Sequence, residues 1–105
     1  MLFKNGEKVI YSNFSTRAFI VESFKKDNEE YITELLDSKF GEKMTIIWSI
    51  EDEEHCPIKN INDLKSKIKD IDYQLSNKGN LLPELKLYNF KNEKEKAEKL
   101  LSLLN

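Results

Sequence analysis

Met44, Ile46, Trp48 and Ile50 alternate with Thr45, Ile47 and Ser49, the clearest period-two run in the chain. Alternate side chains of an extended strand point to opposite faces. The run therefore predicts a strand with one wholly apolar face, expected to rest on helices, and one mixed face. Holding the sole tryptophan near the middle of the chain, it is expected to be an interior strand of a sheet.

Upstream, Asn5-Gly6 is a dipeptide suited to a tight hairpin turn, and it predicts pairing of Leu2-Phe3-Lys4 with Glu7–Tyr11. Ser12–Thr16 reads as a connection. Arg17–Phe24 is rich in β-branched and aromatic residues, which favours a third strand of an antiparallel meander, although Ser15 could instead cap a short helix there. Asp27 followed by Glu30 resembles an acidic capping box. Ile32, Leu35, Leu36 and Phe40 then recur at helical spacing, with Gly41 as a stop. A helix over about 28–40 is expected.

Downstream, Cys56-Pro57 breaks regular structure. Asn60 or Asn62 can cap a helix that places Leu64, Ile68, Ile71 and Leu75 on one face, with Lys65, Lys67 and Lys69 off that stripe. Asn77–Asn80 is a turn cluster. Leu82–Phe90 reads as another strand, with Pro83 confined to its start. Asn92 and Glu95 form a capping box for a final helix whose inner face is Ala97, Leu100, Leu101 and Leu104.

These elements describe one α+β (or α/β) domain over residues 1–105. Its mixed sheet has about four or five strands: an N-terminal antiparallel hairpin or meander, then helix, strand, helix, strand, helix. The last two strands, joined through a helix, could be parallel by a right-handed crossover, and the helices lie mainly on one face.

Composition narrows the function. The 105 residues are 39% apolar and 34% charged, with a net charge of −2, which suits one thin core under a charged surface. The small acidic excess disfavours direct nucleic-acid binding, which draws on a basic surplus. Cys56 is the one cysteine, so no disulfide forms within the chain and a reducing compartment, the cytoplasm, is the natural setting. Neither a signal peptide nor a membrane span is visible. The Lys, Asn and Ile bias fits an AT-rich genome.

Glu51, Asp52, Glu53 and Glu54 are the most suggestive cluster. They can be a solvated loop guarding an apolar strand, a contact for a basic partner, or ligands for a hard cation. Consecutive carboxylates point in different directions, so no metal is assigned. His55 and Cys56, as neighbours, project apart and do not form a proton-sharing dyad, and one His with one Cys cannot complete a structural zinc site. Glu84-Leu85-Lys86 is similar to the Glu-x-Lys element of metal-dependent nucleases, but Asp70 and Asp72, the nearest acidic candidates, fall on a helix. Gly6, Gly41 and Gly79 form no phosphate-cradling loop.

With no catalytic residue and no cofactor assigned, the favoured expectation is a small non-catalytic binding protein. It would inhibit or adapt a protein partner with a basic surface, such as a nuclease or nucleic-acid-binding complex, as immunity proteins, antitoxins and phage counter-defence proteins do. Glu51–Glu54 is its contact surface. One alternative is a metal-dependent nucleic-acid-processing enzyme or subunit built on carboxylates. Another is a dimerising structural module that uses Leu103 at the edge of the last helix; monomer and homodimer both stay open.

Overall fold

A computed structural model describes residues 2–14, 16–78 and 81–105, the side chains of Phe14 and Lys78 excepted. The possible cap at Ser15 and the Gly79-Asn80 end of the turn cluster lie outside the described residues. Among those described, five strands form one sheet and two α-helices follow it. The strands are β1 (Lys8–Tyr11), β2 (Ala18–Asp27), β3 (Glu30–Asp37), β4 (Lys43–Ser49) and β5 (Ile58–Asn60). The helices are α1 (Ile61–Lys78) and α2 (Glu84–Leu104). Strand order is β4-β3-β2-β1-β5, and every pairing is antiparallel. The architecture is α+β.

One buried cluster runs the width of the sheet. Ile46 and Trp48 of β4 share one buried cluster with Ile58 of β5, although these strands occupy opposite ends of the sheet order. Val9, Phe19, Val21 and Leu35 line the inner face between them, and Phe3 and Cys56 complete the cluster. A bulge in β2 helps the sheet bend: the register shifts between Val21 and Ser23, leaving Glu22 without a β3 partner. A bulge bends its strand and resets which side chains face inward. Phe19 and Val21 point in before it, and Phe24, opposite buried Thr33, packs on the same cluster after it.

Only part of the outer face is covered. Ile10, which alternates with Val9, packs with Leu64 of α1 and Leu104 of α2, joined by Ala18, Ile61, Leu100 and Leu101. The helices thus rest on the β1 side of the sheet, and the Met44–Trp48 face does not lie on them as expected. Its cover is Phe3, Phe24, Tyr31 and Cys56. Nor is β4 interior: it is an edge strand whose outer edge is unpaired among the described residues.

Four local expectations are corrected. Residues 28–40 are not a helix: Asp27 and Glu30 close a β-hairpin across Asn28-Glu29, where Asn28 takes φ 54°, a left-handed conformation asparagine tolerates. Tyr31, Thr33 and Leu35 alternate inward, and pairing to both β2 and β4 overrides the competing helical period. Residues 82–90 are not a strand. Pro83 precedes the first turn of α2, and Leu87, Phe90, Ala97, Leu101 and Leu104 form one inner stripe with Lys94. Lys94 interrupts that stripe in sequence but ion-pairs with Asp72 of α1 at 2.6 Å, so Asn92 lies inside the helix and caps nothing. With that strand gone, the sheet is antiparallel, not mixed, and there is no parallel crossover among the described residues. At the start, the turn forms with Gly6 at φ 84° and Glu7 N–H donating to Lys4 C=O at 3.0 Å, but residues 2–4 are not a strand. Phe3 plugs the core instead.

The strand expected at Arg17–Phe24 forms, as Ala18–Asp27, running three residues beyond its expected end, and of the two expected caps of α1 it is Asn60 that caps. Asn60 Oδ1 accepts from Asp63 N–H at 2.9 Å, and Asp63 Oδ2 accepts from Asn60 N–H at 3.0 Å, a reciprocal box that satisfies the first orphan donors of the helix. Leu64 and Ile71 are buried on its inner face.

A second polar knot holds the β3–β4 turn. Asp37 is only 1% exposed. Its Oδ1 accepts from the backbone N–H of Lys39 and Phe40 at 2.7 and 3.0 Å, and its Oδ2 accepts from Arg17 Nε at 2.6 Å. Arg17 also bridges to Glu42 at 2.7 Å, tying the β1–β2 connection to this turn. Burial pushes the Asp37 carboxyl upward, but the two backbone donors and the guanidinium outweigh it, and the group sits below the usual aspartate range.

Two outcomes follow from this packing. In urea denaturation, Leu35→Ala lowers stability by about 2–5 kcal/mol, as for other buried leucines, whereas Phe40→Ala, removing a 62% exposed ring that lies beneath the Arg17 and Lys39 cations, costs less than about 1 kcal/mol. A helix over 28–40 would have made both large. Because the Asp37 carboxyl is depressed in the folded state, its contribution is complete above the ordinary aspartate value and is lost as pH falls through the folded one. Asp37→Asn therefore flattens the acid limb of a plot of stability against pH, while lowering stability near neutrality.

Candidate acidic interaction surface

The acidic segment follows β4 directly as a short 3-10 turn, Ile50–His55. Ser49 caps it, its Oγ accepting from Glu51 N–H at 3.3 Å, and Cys56 N–H closes it onto Glu53 C=O at 3.1 Å. Acidic residues in a first turn oppose the positive end of the peptide dipoles, which suits Glu51, Asp52 and Glu53 there.

The aromatic cluster below fixes where this turn sits. Tyr31 is cross-strand from Trp48; its ring lies 5.5 Å from the Trp48 ring and stacks on Phe24 at 5.2 Å. Phe3 meets Phe24 edge-on at 5.6 Å. Such separations are those of rings in packing contact, so the cluster is core and not an open cage. Its consequence is at the rim, where the anchored Tyr31 hydroxyl donates to Glu53 Oε1. A second tether runs from Ile50 N–H to Glu29 C=O at 2.8 Å.

That tether brings two acidic stretches together. The β2–β3 turn contributes Asp27, Glu29 and Glu30, and the 3-10 turn contributes Glu51, Asp52, Glu53 and Glu54, all exposed. Lys25 and Lys26 of β2 are the nearest basic residues along that hairpin. Within the cluster Asp52 Oδ1 meets His55 Nδ1 at 2.6 Å, and Glu53 is held by Tyr31. Two of the four expected contact carboxylates are thus partly occupied by their own chain. A phenol donor leaves the charge on Glu53 in place, and each of these carboxylates has a second oxygen. Glu51 and Glu54 carry no side-chain bond among the described contacts. The contribution of Asp27, Glu29 and Glu30 had no local signal in the sequence, because it depends on 28–40 being a hairpin.

Other candidate chemistry is dispersed. Cys56 is buried and its Sγ donates to Ile58 C=O at 3.4 Å, while His55 is turned to Asp52, so the two share no proton. Burial above all pushes the Cys56 thiol upward. Glu84 and Lys86 lie in the first turn of α2, so the strand that a Glu-x-Lys element needs is not there, and Asp72 is engaged by Lys94. Among the described residues no group of three or more His, Cys, Asp or Glu side chains is placed to hold a metal ion, and no helix is long and apolar enough to cross a membrane. Of four aromatics that would have to be exposed to stack bases, Phe19 is buried, Tyr11 half-buried and Tyr88 exposed; the side chain of Phe14 is outside the described set. Leu103 is exposed, as are Leu81, Leu85 and Tyr88 near the α1–α2 turn.

No family model, curated protein or solved structure matches this chain.

The hydrogen bond to Glu53, then burial, then the Glu53 charge raise the Tyr31 phenol above its ordinary value. Titration of phenolate absorbance shows one tyrosine ionising late, and Glu53→Ala moves that step back toward the others. An unchanged profile would mean that the 3-10 turn is not pinned on β3.

Proposed function

We propose that this chain is a small binding protein, without a catalytic role, that docks a basic macromolecular surface on its acidic end. The observation carrying this reading is the juxtaposition of Asp27, Glu29 and Glu30 with Glu51, Asp52, Glu53 and Glu54, tethered through Tyr31 and Ile50. A charged patch of one sign speeds encounter with an opposite one and sharpens the choice of partner. The patch is also held in shape, so less conformational freedom is lost on docking than for a loose acidic loop.

Charge is unevenly shared along the chain. Residues 1–58 carry twelve acidic side chains against seven basic, and residues 59–105 carry seven against ten. A partner with a basic groove, such as a nuclease or a nucleic-acid-binding complex, would thus be drawn to the sheet end and not to the helices. Occupying that groove would inhibit or adapt the partner, as an immunity protein, antitoxin or phage counter-defence protein does. The cytoplasm is the setting this reading favours, with Cys56 reduced and buried.

The test begins with affinity capture from the source cells and proceeds to calorimetry with the purified partner. Glu51→Lys with Glu54→Lys, which disturbs no internal side-chain bond, weakens binding about tenfold or more and flattens its salt dependence. Lys65→Glu with Lys69→Glu on α1 leaves it unchanged. Equal affinity for wild type and the double acidic variant would remove the acidic end as the docking surface.

A further inference from the structure

A groove of about 500 Å³ lies between the outer face of the sheet and the two helices, and none of Glu51–Glu54 lines it. Its floor is apolar: Ile10 of β1, Leu64 of α1, and Ala97 and Leu100 of α2. Ala97 is the smallest residue of the α2 inner stripe, and its short side chain keeps α2 from filling the space above Leu64. Three lysines from three different elements line the same groove: Lys59 of β5, Lys67 of α1 and Lys96 of α2. None has an ion-pair partner among the described residues, whereas Lys94 nearby is paired with Asp72. Two acidic residues, Asp63 and Glu93, also border the groove, so the three lysines leave it a net charge of +1; Asp63 turns Oδ2 to the Asn60 N–H as part of the helix cap.

Sites for small molecules typically combine an apolar body of this size with a few convergent polar groups. Here lysines from three elements border an apolar floor, and ammonium donors suit carboxylate or phosphate oxygens. From this combination we infer that the groove binds a small amphiphilic anion, an aliphatic or aromatic body bearing one carboxylate or phosphate. The body lies on Ile10, Leu64 and Ala97, and the head lies among Lys59, Lys67 and Lys96. This site is independent of the acidic end and of any partner docked there.

The test titrates the full chain with octanoate and octyl phosphate, with octanol and acetate as single-feature controls, followed by calorimetry and amide chemical shifts. Octanoate or octyl phosphate saturates one site, shifting the amides of Ile10, Leu64 and Ala97; whichever binds tighter identifies the head group. Octanol and acetate bind about tenfold more weakly or worse. Lys67→Ala with Lys96→Ala, both exposed positions, weakens the two anions about tenfold without changing the melting temperature or the weak octanol binding. Ala97→Phe fills the floor and abolishes binding; should it fail to fold, the lysine pair and the shift map still decide. Binding seen only above the micelle threshold, shifts away from the groove, or affinity indifferent to the lysine pair would overturn the inference.

Discussion

Trp48 is 8% exposed at the edge of the sheet, and it is buried there only because rings from three other segments close over it. Phe3 arrives from the chain start, Phe24 from β2 and Tyr31 from β3. An edge strand with an apolar face would otherwise invite pairing with another chain. One buried cluster reaching from β4 to β5 turns that liability into the main core. The bulge at Glu22 is the backbone device that lets Phe19, Val21 and Phe24 all face the same interior.

The same packing organises the surface. Tyr31 reaches from the aromatic cluster to Glu53 and so converts core order into surface order, fixing an acidic turn against the acidic β2–β3 hairpin. Clustering like charges opposes folding, but all seven carboxylates are exposed to water, where screening keeps such repulsion small. Buried charge is handled differently. Asp37 is held by two backbone donors and Arg17, so it is not left unpaired where an unmatched charge is strongly destabilising. Lys94, only half-buried in the helix pair, is met by Asp72.

The helices contribute less to the core than their length suggests. Leu64 and Leu104 meet Ile10 at one end of the hairpin, while Leu81, Leu85 and Tyr88 remain exposed near the other. Ala97 at the α1–α2–sheet junction leaves open space where a larger residue would have closed it, and Lys59, Lys67 and Lys96 are among the residues that line that space.

Much of this was legible in the sequence. The alternation of Met44, Ile46 and Trp48, the turn at Asn5-Gly6, the strand beginning at Ala18, the Asn60–Asp63 cap and the inner face of α1 are local, because neighbours within one element set them. Tertiary structure decided where two local periods coexist. Residues 31–36 satisfy both a strand face and a helix face, and only pairing with β2 and β4 selects the first. Residues 85–90 alternate like a strand, yet Leu87 and Phe90 join a helical stripe once Asp72 neutralises Lys94 within it. The edge position of β4 and the meeting of 27–30 with 51–54 follow from those selections, and contacts between residues far apart in sequence leave no trace in the period of either stretch.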